Sequence, residues 1–331
     1  MRAMFELRRD PITGWWAAIV TDRTFEHASF AMRASPVEGT HCRHCDEAPE
    51  TDDGAVRRIP LRSHAFHRID SGKESAAQLS ISEVEASEGS WQILVGPRGH
   101  HERLADADPA LVGRLLTALR DAMRDAGRDA RPPDRPIYVQ AVQSYGMQAG
   151  SRSQHLNMEF YAIPQVPHWV AEEIGGGARY AIKARSCVWC GLAAAEEENN
   201  ERLVLANEHH VVFTPAASRS PFEMMIVPRL HSADFTATDD AGIAALAATL
   251  RQTLGALGAL DDPAYNLFLH TSPAGERLDS TYHWHWELHP RLRVIAGLER
   301  ATALAVNPAA PEYAAEVLRS RAAGRSGSDA P

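Results

Sequence analysis

Short apolar runs alternate with stretches of helical spacing along this chain, and together they predict a fold that mixes strands and helices. Residues 91–95 and 137–142 are apolar runs next to glycine or proline, a pattern typical of buried strands. Between them, apolar side chains recur every three or four residues over 104–126, which predicts an amphipathic helix. Residues 6–20 predict two strands joined by a turn that contains proline and glycine.

The second half of the chain repeats this order of elements. Apolar runs predict strands at 203–205, 211–213, 223–227, 265–270 and 282–289, with a helix at 241–257. The first two of these strands are close enough to form a hairpin. A repeated order of elements predicts an α+β fold built from two tandem units, each an antiparallel sheet with packed helices.

Three short motifs recur in the same order in the two halves. The matched segments are CRHC at 42–45 with CVWC at 187–190, PRGH at 97–100 with PRLH at 228–231, and HLNME at 155–159 with HWHWE at 283–287. Three matches in one order are hard to obtain by chance, so we interpret the chain as an internal duplication.

The boundaries of the two repeats follow from composition. We place the N-terminal repeat at 1–174 and the C-terminal repeat at 178–318, with the glycine run at 175–177 as the boundary between them. The tail at 319–331 is rich in alanine, glycine, serine and charge, a composition that predicts disorder.

All four cysteines lie in the two Cys-x-x-Cys pairs. Such a pair places two sulfur ligands on one side of a tight loop and supplies half of a tetrahedral zinc site. The repeated histidines complete two predicted zinc sets, which are Cys42, Cys45, His100 and His155 in the first half and Cys187, Cys190, His231 and His283 in the second. Four protein ligands leave no open position, so both sites would be structural. His101 is an alternative to His100, and a redox pair is the second interpretation.

Charge and hydropathy narrow the class of protein. The formal net charge is −9 with no basic stripe, which argues against nucleic acid as a partner. The apolar runs are too short to span a membrane, and no secretory signal follows Met1. We therefore expect a cytoplasmic protein, where paired cysteines are more often metal ligands or redox centres than structural disulfides.

Three segments together resemble the galactose-1-phosphate uridylyltransferase family, the two-repeat branch of the histidine-triad superfamily. They are LRRDPITGWW at 7–16, CRHC at 42–45 and YHWHWELHPRL at 282–292. The resemblance covers most of the chain and implies a fold of two histidine-triad-like repeats and a homodimer. It also implies nucleotidyl transfer in two steps, in which a histidine attacks a nucleotide sugar and a sugar phosphate then takes the nucleotide.

The chain departs from the family pattern where that chemistry takes place. The family's nucleophile is the second histidine of His-Pro-His-x-Gln, and Asn157 stands at its position with Glu159 at that of the glutamine. The phosphate-binding serine of the preceding loop is replaced by Arg152, and of the two N-terminal arginines only Arg23 remains, because Glu26 holds the other position. Since an amide nitrogen is not a useful nucleophile, we expect no covalent nucleotidyl-histidine at Asn157.

Three interpretations of the function remain open from the sequence. In the first, the protein is an enzyme on a nucleotide, nucleotide-sugar or sugar-phosphate-like substrate and uses Glu159 as a base. In the second, catalysis has moved to His285 in the second repeat. In the third, the protein is a non-catalytic ligand-binding relative. Besides the catalytic candidates Asn157, Glu159 and His285, the candidate substrate-binding residues are Arg23, Ser144, Arg152, Glu287 and His289.

The strand predicted at 282–289 also bears on the second metal site. Alternation places Trp284 and Trp286 on one face, where we expect packing, and the polar residues of HWHWELH on the other. Some relatives hold a second metal in this region, and the matching set would be Glu173, His270, His283 and His285. That set competes with the Cys187/Cys190 set for His283.

Overall fold

A computed structural model describes residues 5–21, 42–47, 54–61, 89–97, 103–129, 138–163 and 165–326 of the 331-residue chain. Its strands are β1 (Phe5–Arg9), β2 (Trp16–Val20), β3 (Arg57–Leu61), β4 (Ser90–Val95), β5 (Tyr138–Tyr145), β6 (Asn157–Ile163), β7 (Leu203–Ala206), β8 (His210–Phe213), β9 (Met224–Pro228), β10 (Tyr265–His270), β11 (His285–Pro290) and β12 (Ala305–Asn307). Its helices are α1 (Arg43–Asp46), α2 (Pro109–Asp129), α3 (His168–Ala184), α4 (Val188–Asn199), α5 (Asp240–Gly258), α6 (Gly297–Thr302) and α7 (Pro311–Ser326). None of the helices in these ranges is long and apolar enough to cross a membrane.

Nine strands form one antiparallel sheet that runs through both halves of the chain. The strand order is β3-β4-β6-β5-β10-β11-β9-β8-β7, so the first half supplies four neighbouring strands and the second half supplies five. The halves join where β5 pairs with β10, with Ala141 opposite Leu269. The predicted α+β fold of two antiparallel units is thus confirmed, and the two units share one continuous sheet.

Helices cover the sheet on both sides where its strands are apolar. On one side, α2, α5 and α7 pack on a core that includes Met158, Phe160, Trp286 and Leu288. On the other side, α4 packs against the second half of the sheet, where Trp189 belongs to a smaller cluster. As the alternation predicted, Trp284 and Trp286 are in the main core, because residues two apart on a strand share a face. Residues 282–284 precede the strand, which starts at His285 instead of the predicted 282, since Trp284 N donates to Ser232 O and does not join the sheet ladder.

The N-terminal hairpin lies against the second half of the chain. Strands β1 and β2 pair as predicted, and β12 from the C-terminal part adds to β2 in parallel, so these three strands form a separate small sheet. Ile12, in the hairpin turn, belongs to the same cluster as Trp189 and Tyr282. The sequence assigned this hairpin to the N-terminal repeat, but β12 and the cluster of Trp189 and Tyr282, which contact it, belong to the C-terminal repeat.

The glycine run at 175–177 is part of a helix and is not a linker. All three residues lie inside α3. A Cβ atom built on Gly176 would come within 1.8 Å of the carbonyl oxygen of Ile12, and one on Gly177 within 2.3 Å of that of Thr281. Gly176 and Gly177 therefore allow α3 to approach two backbone segments closely. This packing accounts for glycines inside a helix, where the sequence pattern predicted a boundary.

The C-terminal tail is ordered further than its composition predicted. Helix α7 continues to Ser326, so the prediction of disorder over 319–331 is corrected for 319–326, and 327–331 lie outside the described residues. Leu318 is fully buried in the main core, and the Arg319 guanidinium donates to the carbonyl oxygens of Asn200 and Leu203. These contacts hold the helix to β7, which the local composition does not reveal.

Candidate metal centres and active site

The first cysteine pair meets a histidine at the start of β6. Cys42 precedes α1, and the Sγ atoms of Cys42 and Cys45 lie 3.6 and 3.4 Å from His155 Nδ1. The other ring nitrogen of His155, Nε2, is 3.0 Å from the carbonyl oxygen of Gly96. A histidine that donates from one nitrogen to a carbonyl presents the other as a metal ligand, so this geometry suits zinc. The fourth predicted ligand, His100, and the candidate substrate residue Arg23 both lie outside the described residues.

The second cysteine pair has two histidine partners. Cys187 precedes α4, and Cys190 Sγ lies 3.4 Å from Nδ1 of both His231 and His283. One ligand atom from each of the four residues lies within 4.8 Å of the others. His231 Nε2 contacts the carbonyl oxygen of Asp279, which leaves Nδ1 to face the sulfur atoms.

The donor chemistry of this second set fits a zinc ion. Hydrogen bonding with Cys190 and His283 outweighs burial and lowers the pKa of the Cys187 thiol to about 4, so one thiolate forms readily beside two imidazoles. Burial, above all, lowers the pKa of His283 and favours the neutral ring that a metal requires. A tetrahedral ion here would be closed by protein ligands and would clamp α4 to the segment before β11.

His155 and His283, which face the two cysteine pairs, each present a backbone carbonyl oxygen to the residue two positions later. The Asn157 side chain donates through Nδ2 to His155 O at 2.7 Å. In the second repeat, His285 Nδ1 lies 2.9 Å from His283 O. The two motif positions therefore have equivalent surroundings, and Asn157 occupies in the first repeat the place that His285 occupies in the second. Three strand spacings separate β6 from β11, so the two positions are on the order of 14 Å apart.

Glu159 is held by two aromatic side chains on the same face as Asn157. Its Oε2 accepts hydrogen bonds from Trp91 Nε1 at 2.8 Å and from the Tyr161 hydroxyl at 2.5 Å. The two rings stack with an interplanar angle of 11°, and the Arg152 guanidinium carbon lies 5.2 Å from the Trp91 ring centroid. Arg152 therefore lies near Glu159 through the indole ring of Trp91, and among the described hydrogen bonds it donates none to Glu159.

Ser144 reaches the same region from the neighbouring strand. It lies on β5, and its hydroxyl accepts a hydrogen bond from Asn266 Nδ2 at 2.9 Å. The β5–β6 register pairs Val142 with Glu159, and extending it by two residues places Ser144 beside Asn157. The first-repeat candidates in the described residues, which are Ser144, Arg152, Asn157 and Glu159, are therefore brought together.

The remaining candidates form a separate buried cluster in the second repeat. His270 on β10 stands directly opposite His285 on β11, and Nδ1 of His270 lies 2.9 Å from a carboxylate oxygen of Glu173. His285 Nε2 is buried with no hydrogen-bond partner, 3.6 Å from Glu287 Oε1 and 3.9 Å from Glu173 Oε2. An orphaned imidazole nitrogen between two carboxylates is suited to a cation.

The ligand set of this cluster differs from the expected one. The four residues that present ligand atoms to one another are Glu173, His270, His285 and Glu287. His283 is absent from the cluster because its ring faces Cys187 and Cys190, so the two sets do not compete for it. The alternation of β11 explains the change, since Glu287 shares a face with His285 whereas His283 precedes the strand.

Charges in this cluster are strongly coupled. Burial alone would raise the pKa of Glu287, but the Arg219 charge, the nearby His285 imidazole and a hydrogen bond with His289 hold this pKa well below its usual range. Burial opposes protonation of His285, yet Glu287 and Glu173 raise its pKa. Arg219 Nη2 lies 2.5 Å from Glu287 Oε2 and 3.1 Å from His289 Nε2. Glu287 and His289, predicted to bind substrate, are thus already engaged by Arg219.

Sequence reasoning missed Arg219, Trp91 and Trp169, which shape the two sites. Arg219 lies in an irregular segment before β9 and stacks 3.8 Å from the Trp169 ring centroid. None of the three belongs to a repeated motif. For Trp91, the available signal was the alternation of the predicted strand at 91–95, because Trp91 shares a face with Ile93, which pairs with Glu159 on β6.

Similarity to known proteins extends over nearly the whole chain. No family model matches it. It is 26% identical to ADP-glucose phosphorylase of Arabidopsis thaliana over 95% of this chain and 92% of that protein. It is 25% identical to galactose-1-phosphate uridylyltransferase of Thermotoga maritima over 96% of this chain and 98% of that one. The chain is therefore similar over nearly its full length to proteins named galactose-1-phosphate uridylyltransferase and ADP-glucose phosphorylase, as the sequence motifs predicted.

Solved structures of the galactose-1-phosphate uridylyltransferase family agree with this fold. The crystal structure of the Arabidopsis thaliana ADP-glucose phosphorylase with bound ADP-glucose superposes with a TM-score of 0.77, at 26% identity, over 96% of this chain and 99% of that one. The predicted resemblance to galactose-1-phosphate uridylyltransferase and the predicted fold class are confirmed. The similar proteins are named as transferase and phosphorylase enzymes, which confirms the expectation of a nucleotidyltransferase-like enzyme.

Proposed function

We propose that this protein is an enzyme of the family that acts on a nucleotide, nucleotide-sugar or sugar-phosphate-like substrate without forming a nucleotidyl-histidine at the usual position. The observation that carries this proposal is the hydrogen bond from Asn157 to His155 O, which sets a carboxamide where the equivalent position of the second repeat has an imidazole. The lone pair of that amide nitrogen is delocalised, so it can hold a ligand but cannot attack phosphorus.

Transfer of the nucleophile role to the second repeat is disfavoured by the surroundings of His285. Its free nitrogen is fully buried and faces the carboxylates of Glu173 and Glu287. Two carboxylates this close to the imidazole would repel an incoming phosphate group. This arrangement supports a cation-binding role for His285 and leaves the first repeat as the site of chemistry.

A single displacement fits the first-repeat residues. An acceptor oxygen would attack the α-phosphorus of the nucleotide, and the bond from that phosphorus to the leaving phosphate oxygen would break, with its electron pair retained by the leaving group. Glu159 is the base that would take the proton from the acceptor, either a hydroxyl group or a monoprotonated phosphate, and Arg152 supplies positive charge near the phosphates. Asn157 uses one amide hydrogen on His155 O, so its oxygen and second hydrogen can position the substrate.

The names of the relatives support a nucleotide sugar as the substrate class. One is an ADP-glucose phosphorylase crystallised with ADP-glucose, and another is a galactose-1-phosphate uridylyltransferase. In both names the substrate contains a sugar phosphate. We therefore place ADP- and UDP-sugars first among candidate substrates, without choosing a base.

Two zinc ions complete the proposal. The residues of both cysteine sets fit such an ion, and each ion would fix the loop that ends at the motif strand. Zinc would supply structural support only, with no open coordination position. We also propose that the protein is a cytoplasmic homodimer and that each chain consists of two repeats, at 1–174 and 178–318. The similarity of nearly the whole chain to galactose-1-phosphate uridylyltransferase supports the two-repeat organisation.

The alternative function is a non-catalytic ligand-binding relative. The observation in its favour is that both donors on Glu159 Oε2 stabilise the carboxylate and compete with its use as a base.

Turnover separates the two functions. We would incubate the protein with ADP-glucose or UDP-glucose, each with phosphate or a hexose 1-phosphate, and follow the products by anion-exchange chromatography. Product formation that disappears in Glu159→Gln supports the enzyme. Binding of a nucleotide sugar, seen as a rise in melting temperature, without any turnover of the panel favours the alternative.

A further inference from the structure

A cavity of about 160 Å³ lies between the N-terminal hairpin and the second half of the chain. Its wall combines the hairpin, α3, the segment before β9, and β11. The volume is roughly ten times what one water molecule needs, so it admits a small organic molecule. It lies apart from the first-repeat motif, and Glu173 and Glu287 connect it to the carboxylate–histidine cluster.

Three indole rings line this cavity. They belong to Trp15, Trp16 and Trp169. The Trp15 and Trp169 rings pack edge to face, with centroids 4.3 Å apart and an interplanar angle of 83°. Trp16 is half exposed, and its side chain lies at the solvent side of the cavity. Indole faces attract cations more strongly than other aromatic faces do.

The charged groups of the wall are mostly negative. Four carboxylates line it, from Asp10, Glu173, Glu223 and Glu287, against the one guanidinium of Arg219. Their formal charge is −3, and a divalent ion between Glu173 and Glu287 would still leave an excess of negative charge. A phosphate or other anion is therefore repelled, whereas a cation is attracted.

Arg219 already shows how the wall binds a positive group. Its guanidinium carbon lies 3.8 Å from the Trp169 ring centroid, while Nη2 contacts the carboxylates of Glu287 and Glu223. Asp10 offers a second carboxylate to the same space. The described hydrogen bonds to it, from the backbone of Ile12 and the backbone and hydroxyl of Thr13, all end on Oδ1.

We propose that this cavity is a binding site for a small organic ammonium ion, held between the indole rings of Trp15 and Trp16 and the carboxylate of Asp10. The site is independent of the proposed nucleotidyl transfer, because it uses none of the first-repeat residues. Aromatic rings combined with carboxylates are the usual means by which proteins recognise alkylated ammonium groups.

The test compares two molecules of the same shape that differ in charge. Choline and its neutral isostere 3,3-dimethyl-1-butanol are titrated into the full-length protein by isothermal titration calorimetry, with inorganic phosphate as the anionic probe. We expect choline to bind at least about tenfold more tightly than the isostere. Equal affinity for the two, no binding of choline, or tighter binding of phosphate would each overturn the proposal.

Variants locate the binding to this cavity. Asp10→Asn keeps an Oδ1 that accepts the turn hydrogen bonds but removes the charge, and Trp16→Ala removes one ring from the solvent side. Each should weaken choline binding about tenfold. Leu7→Ala, on the exposed face of β1 in the same hairpin, is the matched control and should bind as the unmodified protein does. Metal content and melting temperature are measured for all three variants, so that loss of binding with an unchanged fold is decisive. Unchanged binding in both site variants would overturn the proposal, because the ligand would then bind elsewhere.

Discussion

The Asn157 side chain donates a 2.7 Å hydrogen bond to the backbone oxygen of His155, the residue that faces the first cysteine pair. A metal at that pair would hold His155, and His155 in turn orients Asn157. The second repeat has the same relationship between His283 and His285. Each cysteine pair is therefore positioned to set the geometry of one motif residue, and the chemistry of that residue then differs between the repeats.

The two cysteine sets should each hold zinc. We expect two zinc ions per chain by elemental analysis of protein purified without added metal. Cys42→Ser and Cys187→Ser should each lose about one ion and lower the free energy of unfolding by several kcal/mol, because metal binding is coupled to folding. Cys187→Ser protein that keeps both ions would contradict the second set, and fewer than one zinc per chain in the unmodified protein would contradict the two-site proposal.

The unmodified protein should form no stable covalent adduct with a nucleotide sugar. After incubation with UDP-glucose or ADP-glucose, intact mass spectrometry should show only the mass of the free chain, since Asn157 cannot attack phosphorus. A nucleotidyl adduct mapped to His285 would support transfer of the function to the second repeat. An adduct mapped to His155 would show that the motif is aligned incorrectly.

Glu159→Gln should separate a base from a binding group. If Glu159 is the base, kcat should fall by roughly 10²- to 10⁴-fold while KM changes little. Because glutamine keeps an oxygen that can accept from Trp91 and Tyr161, the local packing should persist. Glu172→Gln on α3 is the control and should leave kcat unchanged. A fall in KM and kcat together, with the pH profile unaltered, would argue against proton transfer by Glu159.

His210 should make the fold less stable in mild acid. Burial, first of all, and the charges of His209 and Arg229 lower the pKa of His210 to about 4, and its Nδ1 lies 3.0 Å from the Thr249 hydroxyl. The unfolded chain, with an ordinary pKa of about 6.5, binds a proton more readily, so the contribution is complete above that pH and is lost as pH falls toward 4. Between pH 7 and pH 5 this amounts to about 2 kcal/mol.

Urea unfolding at these two pH values tests the contribution of His210. His210→Gln should reduce the difference in unfolding free energy between pH 7 and pH 5 by about 2 kcal/mol. His209→Gln changes the exposed neighbour and should keep most of this difference, because burial is the largest cause of the lowered pKa of His210. Identical pH dependence in all three proteins would rule out His210 as the source.

A pair of glycine-to-alanine substitutions should have opposite signs. Gly176→Ala would place a Cβ 1.8 Å from Ile12 O and should cost several kcal/mol, because the backbone of the hairpin turn must move. Gly113 lies in α2, and a Cβ atom added there would meet nothing within 4 Å, so Gly113→Ala should stabilise the protein by about 0.5–1 kcal/mol. Thermal unfolding measures both, and a neutral Gly176→Ala would disprove the close contact.

Local spacing along the chain determined many of the elements of this protein. The period of apolar residues predicted the strands at 91–95, 203–205 and 265–270 and the helices that became α2 and α5, because these patterns depend only on near neighbours. The repeated motifs predicted the duplication, the cysteine sets and the resemblance to the uridylyltransferase family, and they placed Asn157 opposite His285 in the second repeat. Each of these features is contained in a few adjacent residues.

The tertiary structure decided the features that depend on long-range pairing. Only the β5–β10 pairing shows that the repeats share one sheet, and only the packing of Gly176 on Ile12 shows why a glycine run lies inside a helix. His283 faces the second cysteine pair and is separate from the carboxylate cluster because β11 begins only at His285. Spacing along the chain indicates possible ligands, but their assignment requires distances between segments far apart in the chain, which the sequence pattern alone does not contain.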